Sequence, residues 1–432
     1  MTATETLLRV VVVGAGPAGL AAAKAAARPG VAVTLLDNNP APGGQIWRSG
    51  PKHPPPSRSK AAQQSLIRCG VTIYTGCHVV GIRVPGVLIL DAPNADNVPT
   101  ALAWDKLILA TGARERFLPF PGWTLPGVTG AGAAQALVKG GVPAHGKRVV
   151  VAGSGPLLLA SAATLRAAGA DVLMVVEQAP ARAMLHFARR LIHWPRKLAK
   201  AAILRAQLAS VPYHWNSHII AAEGEGQLHS LRVSIDGFEK TIACDWLACG
   251  FGLQANLELA YALGCEVDTV HGLPAVKIDQ QQQTSVTGVF AAGETTGIGG
   301  LDKAWAEGHR AGLAAIGKIA KPGLTGHAAF GELLSTTFAL RPELMRLANG
   351  DTTVCRCEDV SLADLREHAD WRTAKLRTRC GMGACQGRIC APVCHDVLGW
   401  QLPGPSLQHV IRQPLQPVSL NRLLCGLKDM PS

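Results

Sequence analysis

The chain has 432 residues, of which 48% are hydrophobic and 17% charged, with 47 glycines, 3 tyrosines and 12 cysteines. That length fits two to four domains at roughly 100–200 residues each, the apolar share supplies a core, and the low charge excludes a disordered chain. The net charge of +12 is not laid out as a nucleic-acid stripe; much of it lies in two acid-free stretches, between Asp37 and Asp91 and between Glu177 and Glu223. No run approaches the roughly 20 apolar residues of a membrane span, which leaves only peripheral association open. Residues 1–9 lack the basic n-region of a secretion signal. Seven cysteines crowd between Cys355 and Cys425. Such clustering reads as a metal site in a reducing compartment, the cytoplasm, rather than a secreted disulfide scaffold.

The β-branched run Val10–Val13 suits a strand buried on both faces of a parallel sheet. It leads directly into Gly14-Ala15-Gly16-Pro17-Ala18-Gly19, an alanine-rich helix from about Leu20 to Arg28, and a second strand over Val31–Leu36 that ends at Asp37. This is a full dinucleotide-binding fingerprint. Gly14 permits the tight turn, Gly16 admits a pyrophosphate, and Gly19 lets helix and strand lie close. The helix N-terminus offers N–H groups to phosphate, and Asp37 stands where a ribose hydroxyl is bound. Pro42-Gly43-Gly44-Gln45 follows, and a strand over Lys106–Ala110 runs into Thr111-Gly112-Ala113.

A second unit repeats the pattern at Lys147–Ala152, Gly153-Ser154-Gly155-Pro156-Leu157-Leu158 and Asp171–Val176, ending at Glu177. Leu158 replaces the third glycine, which holds the helix further from the strand. No basic residue follows Glu177 to receive a 2′-phosphate. Two readings stay open: a pocket for NAD or another adenine nucleotide through Gly153, Gly155 and Glu177, or an inherited fold that no longer binds nicotinamide. The acid-free stretch beyond it carries Arg182, Arg189, Arg190, Arg196, Lys197, Lys200 and Arg205, either a solvated helix face or a surface for an acidic partner or a phosphate-bearing cofactor. Cys244 and Cys249 read as packing residues on a strand. Val289–Ala292 predicts a strand that ends in Gly293-Glu294, with a helix from about Lys303 to Lys318. The chain is expected to break at Lys321-Pro322-Gly323.

The last segment contains Cys355-Arg356-Cys357, then Cys380, Cys385 and Cys390 within a Gly- and Arg-rich stretch, separated by a short helix over Ser361–Trp371 with Ser361 as N-cap. Four thiolates suit zinc or a [2Fe–2S] cluster. The tight C-x-C spacing and the surrounding Arg356, Arg377, Arg379 and Arg388 favour iron–sulfur, because nearby cations offset the negative charge of a thiolate-ligated cluster. No Ser/His/Asp or paired-carboxylate constellation appears, so no catalytic side chain is assigned.

The first fingerprint, the Gly-Gly-Gln loop, the Thr111-Gly112 turn and the Gly293-Glu294 turn together resemble the two-dinucleotide-domain flavoprotein reductases, thioredoxin reductase-like in layout. The resemblance implies FAD held by Gly14, Ala15, Gly16, Pro17, Ala18, Gly19, Asp37, Gly43, Gly44, Gln45, Thr111, Gly112, Gly293 and Glu294. The chain lacks that family's redox cysteine pair beside the flavin, so thioredoxin-type chemistry is not expected. The C-terminal Thr378-Arg379-Cys380-Gly381-Met382-Gly383-Ala384-Cys385-Gln386-Gly387-Arg388-Ile389-Cys390 stretch resembles the bacterioferritin-associated-ferredoxin-like domain. That domain is fused to the flavoprotein α subunit of heteromeric opine oxidases, D-hydroxyproline dehydrogenase and hydrogen cyanide synthase. Residues Pro121–Val128, Gly155–Leu159 and Gly297–Gly300 carry the same resemblance.

The resemblance implies cluster ligands Cys355, Cys357, Cys385 and Cys390, with Cys380, Cys394 and Cys425 as non-ligands. It implies a flavoprotein β subunit that oxidises the C–N bond of an amino acid, imino acid or opine. A small iron–sulfur γ subunit and an interfacial FMN are further implications. The expected fold is α/β: an FAD-binding domain over 1–112 and 275–320, a second NAD-binding-like domain over 113–274, a connector over 321–350 and a small, mainly helical [2Fe–2S] domain over 351–432. The expected function is that of an electron-transferring oxidoreductase subunit. The alternatives are a stand-alone NADH-dependent reductase that passes electrons to its cluster, and a non-enzymatic iron–sulfur redox sensor.

Overall fold

The strand Leu8–Val13 is central to a five-stranded parallel sheet in the computed structural model, with Val31–Leu36 and then Thr72–Tyr74 on one side and Lys106–Leu109 and then Val289–Ala291 on the other. The structure describes residues 7–51, 53–83, 86–95, 97–320, 326–401 and 412–428. Val10, Val12, Leu107, Ile108 and Leu109 are fully buried, as expected of β-branched and aliphatic strands covered on both faces. The helix Pro17–Ala26 follows the first strand, and the helix Leu301–Ala315 lies against it. Small residues set that approach: a Cβ added to Gly308 or Gly312 would stand 2.0 Å from the Ala18 carbonyl oxygen or 2.2 Å from that of Ala22. The strand order reverses beside Leu8–Val13, so its C-terminal end and that of Lys106–Leu109 form the crevice in which open α/β sheets bind ligands.

The chain divides into two compact units, one of residues 1–114, 254–332 and 403–432, the other of residues 115–253 and 333–402. The first also holds an antiparallel sheet of His78–Arg83, Val87–Asp91 and Ala101–Ala103. The chain's C-terminal part joins this unit. Gln413 Oε1 accepts from the Ile82 N–H at 2.8 Å, and the Leu415 N–H donates to the Val80 carbonyl at 2.7 Å.

The second unit repeats the architecture. Its parallel sheet runs Tyr213–His214, Asp171–Glu177, Arg148–Ser154, Trp246–Phe251, Val128–Gly130, flanked by helices Ala131–Lys139 and Leu157–Ala167 and accompanied by the antiparallel strands His218–Glu223, Ser230–Ile235 and Phe238–Ala243. The cysteine-rich segment belongs to this unit. Trp123 Nε1 donates to the Thr353 carbonyl at 2.6 Å, and Arg116 Nε to Asp396 Oδ2 at 2.8 Å.

The segment 351–432 is therefore shared between the two units, and the boundary expected after residue 274 falls after Leu253. The expected break at Lys321-Pro322-Gly323 lies outside the described residues. The helix expected over Ser361–Trp371 ends at Arg366, and Trp371 opens a separate helix, Trp371–Thr378. Ser361 does cap the first, in a capping box with Asp364. Asp370, in extended conformation, accepts from the Thr373 N–H at 2.9 Å and starts a new helix where the periodicity suggested continuation. Among the described residues no helix is long and apolar enough to cross a membrane.

Candidate functional site

The first glycine turn is shaped by contacts that only glycine permits. Gly14 has φ +104°, and a Cβ there would meet the Ala110 carbonyl oxygen at 2.2 Å; one on Gly19 would meet the Gly14 carbonyl oxygen at 1.7 Å. Gly16 differs: a Cβ on it would meet nothing nearer than the Gly44 Cα at 3.9 Å. The middle glycine thus faces a cradle roofed by another glycine. Gly43 and Gly44 both have positive φ, and the Gly43 N–H donates to the Ala15 carbonyl at 2.8 Å, which seats the second glycine loop on the first. Gly16 is the N-cap of the helix Pro17–Ala26, with no side chain capping that end. Its positive end therefore faces the same space, and Ala18 packs behind it, buried. These features fit the diphosphate of a dinucleotide.

Asp37 is buried, and both its oxygens work locally: Oδ2 accepts from the Ala15 N–H at 2.6 Å, Oδ1 from the Asn39 N–H at 2.7 Å. A carboxylate oxygen accepts more than one hydrogen bond, so this brace and ribose binding are compatible. Gln45 Oε1 accepts from Arg48 Nη2 at 2.9 Å, and Arg48 Nη2 also donates to Asn39 Oδ1 at 2.9 Å, which ties the Gly-Gly-Gln loop to the Asp37 turn. Thr111 Oγ1 donates to the Asn256 carbonyl at 2.8 Å and lies 3.0 Å from Thr295 Oγ1, beside Gly112 at φ +69°.

Glu294 sits at the start of a 3₁₀ turn, Gly293–Thr296. Its carboxylate accepts from the Gly299 and Gly300 N–H groups at 3.0 and 2.8 Å, and burial pushes its pKa up. It holds the Gly297–Gly300 loop together. Lys303, Glu307 and Thr296 form a neighbouring cluster that motif reading missed. Lys303 Nζ donates to the Gly293 carbonyl at 3.0 Å and to Glu307 Oε2 at 2.9 Å, and Glu307 accepts from the Gly293 N–H at 3.0 Å. Lys and Glu four apart on a helix that follows a Gly-acid turn is the available sequence signal. Arg58 stacks against Trp47 and Trp305, its Cζ 5.9 and 4.7 Å from the ring centroids.

The second fold repeats the close approach at its first glycine but not the whole turn, since Gly155 takes φ +104° where Gly16 has −71°. Gly153, at φ +132°, would place a Cβ 1.9 Å from the Gly250 carbonyl oxygen. Glu177, fully buried, accepts from the Gly155 N–H at 2.8 Å and the Ala179 N–H at 3.0 Å, and burial pushes its carboxyl up to about 7. Leu158, at the third glycine position, is fully buried.

In the cysteine segment the sulfurs of Cys355, Cys380 and Cys390 lie within 4.8 Å of one another, all buried. Cys385 lies close enough to Cys390 and to Cys357, and Cys380 to Cys394, for the thiols to perturb one another. The four expected ligands are thus linked in a chain, Cys355 to Cys390, Cys390 to Cys385 and Cys385 to Cys357, while Cys380, expected to be a non-ligand, stands inside the tightest triad. Glycines let the loop close: a Cβ on Gly383 would stand 2.3 Å from the Cys357 Cβ, and one on Gly381 2.6 Å from the Trp371 ring. This soft donor set fits a thiolate-bound metal centre. Arg379 pairs with Glu358 at 2.8 Å, Arg356 lies over Trp123, 5.4 Å from its centroid, and Arg388 Nη1 donates to the Cys385 carbonyl at 3.2 Å, so at least three of the four nearby cations have local partners. By contrast, burial pushes the Cys77, Cys244 and Cys249 thiols up to about 12, as suits packing residues. No disulfide forms among the described cysteines.

A Rossmann-type cradle at a sheet switch point, with the fold repeated within one chain, defines a dinucleotide-binding protein of the α/β class. Residues 8–311 match the pyridine nucleotide-disulphide oxidoreductase family. The chain is 31% identical to an opine oxidase subunit of Agrobacterium tumefaciens (strain Ach5), over 96% of this chain and 91% of that protein. It is 29% identical to the hydrogen cyanide synthase subunit HcnB of Pseudomonas aeruginosa, over 95% and 97%. Among solved structures, the L-proline dehydrogenase of P. horikoshii superposes with a TM-score of 0.67 at 20% identity, over 96% of this chain and 79% of that one, a likeness of fold. The chain belongs to the pyridine nucleotide-disulphide oxidoreductase family and, within it, to the group formed by these opine oxidase and hydrogen cyanide synthase subunits.

Proposed function

We propose that this chain is the electron-transferring FAD and [2Fe–2S] subunit of a heteromeric dehydrogenase or oxidase, whose partner flavoprotein oxidises the C–N bond of an amino acid, imino acid or opine. The observation that carries the reading is the presence, in one chain of this family, of a dinucleotide cradle and a buried group of thiols without a redox disulfide. FAD would be held by the Gly14–Gly19 turn, Asp37, Gly43, Gly44, Gln45, Thr111, Gly112, Gly293 and Glu294. The cluster ligands would be Cys355, Cys357, Cys385 and Cys390, with Cys380 the competing candidate. When bound, FAD supplies two-electron chemistry that can be released in single-electron steps, and a [2Fe–2S] centre supplies a one-electron carrier.

The chain's own contribution is positioning: the helix N-terminus at Gly16 faces the diphosphate space, and the Glu294 and Lys303–Glu307 clusters fix the late turn. An FMN and a small iron–sulfur subunit belong to the same proposal, as does a cytoplasmic location. The test is purification of the tagged chain from its native host, with analysis of partners, flavins, iron and acid-labile sulfide. A partner flavoprotein is expected, and the flavin should bleach with an amino acid or opine only in its presence. A chain that purifies from that host alone, with no partner flavoprotein and with a flavin that no such substrate bleaches in the host extract, overturns the proposal.

A further inference from the structure

The two nucleotide folds differ in what lies over the middle glycine. Over Gly16 it is the Cα of Gly44, which bears no side chain; over Gly155 it is an aromatic ring, with Phe338 Cγ 3.9 Å from the position of an added Cβ. The strap that carries the ring is tied down at the points a dinucleotide uses. The Phe338 carbonyl accepts from Ser154 Oγ at 3.1 Å, within the glycine turn. Gln178, next to the acid of the second strand, donates through Nε2 to the Ala339 carbonyl at 3.1 Å and to Ser154 Oγ at 2.9 Å, and its Oε1 accepts from the Arg341 N–H at 3.2 Å. The ring also meets the edge of Phe187, centroids 5.1 Å apart and planes at 71°. Arg341 is itself held on Asn216 Oδ1 at 2.7 Å and against His218 Nδ1 at 3.0 Å.

We propose that Phe338 is a specificity-determining residue: the strap 338–341 occupies the second nucleotide fold and excludes NAD(P)H, so reducing equivalents do not enter this chain from a nicotinamide. A diphosphate needs backbone N–H groups at close range with no side chain between. Here the space above Gly155 holds a ring, and the strap carrying it is bonded to Ser154 and Gln178, within and beside the second nucleotide turn. A dinucleotide could enter only by lifting the strap from Ser154, Gln178 and Phe187 together. This goes beyond the proposed function and fails separately from it.

The test titrates NADH into the FAD-loaded chain, wild type, Phe338→Ala and Gln178→Ala, with NADH fluorescence and calorimetry as readouts and flavin content and melting temperature as folding controls. Wild type is expected to show no saturable binding, and Phe338→Ala to bind at least tenfold more tightly. Gln178→Ala, which releases Ala339 and Arg341, should gain binding in the same direction and decides the matter if Phe338→Ala does not fold. Saturable NADH binding by wild type, or no gain in any folded variant, overturns the inference. Wild-type binding in a chain that still co-purifies with a partner flavoprotein overturns the strap alone; no partner and no NADH binding overturns the proposed function alone.

Discussion

Gly16 and Gly19 are three residues apart, yet alanine at each should fail differently. A Cβ at Gly19 would lie 1.7 Å from the Gly14 carbonyl oxygen and 2.9 Å from its carbon. Ordinary contact requires more than about 3 Å, so the helix must retreat by more than an ångström or the turn must open. Overpacking of this kind costs ~1–3 kcal/mol, which lowers the melting temperature of a unit of this size by roughly 2–4 °C per kcal/mol. At Gly16 the φ is −71°, which alanine adopts freely, and the nearest atom is 3.9 Å away, so the apoprotein should keep its stability. The methyl would instead fill the space between Gly16 and Gly44 that the diphosphate needs. A displacement penalty of ~1–3 kcal/mol there is a loss of roughly 5- to 150-fold in FAD affinity. The assay is FAD content after dialysis, with calorimetric titration of FAD into apoprotein and thermal melts of both variants. Gly16→Ala that retains wild-type FAD affinity would refute the assignment of the cradle, and Gly19→Ala with an unchanged melting temperature would refute the packing argument.

Three further outcomes are expected. Cys355→Ser and Cys390→Ser should each lose most of the iron and acid-labile sulfide, Cys357→Ser should do the same, and Cys380→Ser should keep both; the reverse behaviour of Cys357 and Cys380 replaces one ligand by the other, and stoichiometric zinc without sulfide removes the iron–sulfur assignment. Burial raises the Glu177 carboxyl from 4.5 to about 7, so its contribution to stability is complete below about pH 4.5 and lost as the pH rises through about 7. Glu177→Gln should therefore gain on wild type in melting temperature across that window, and a constant difference would show that the carboxyl stays ionised. Arg189 and Arg190 are exposed on the helix Ala181–Arg190 within the acid-free stretch; their joint change to Glu should weaken partner association or lower FMN content with FAD unchanged, and unaltered stoichiometry would make that face a solvated one.

Much of the fold was legible because its signals are local. A β-branched run, a glycine turn, an alanine-rich helix and an acid 23 residues beyond Gly14 specify one strand–turn–helix–strand unit, and the repeat at Lys147–Glu177 specifies a second. Glycine at Gly14 and Gly19 could be read from the motif alone, since the close approach they permit is built into the turn. What the motif could not give is how Asp37 and Glu294 spend their oxygens, because the N–H groups they accept from depend on loop conformations, not spacing. The end of the helix before Asp370 escaped periodicity because Leu362, Leu365 and Ala369 fall at helical spacing in the sequence, although Ala369 is exposed in a bend.

The sequence by itself determined that this chain carries two dinucleotide folds and a thiol-rich segment, since each is a short-range pattern whose backbone demands fix the residues that appear. The tertiary structure decided the rest: which unit the thiol-rich segment joins, that Cys380 stands with Cys355 and Cys390, and that Phe338 lies over Gly155. Each of these brings together residues far apart in the chain, 183 positions for Gly155 and Phe338, and no local pattern encodes the packing that closes such a distance.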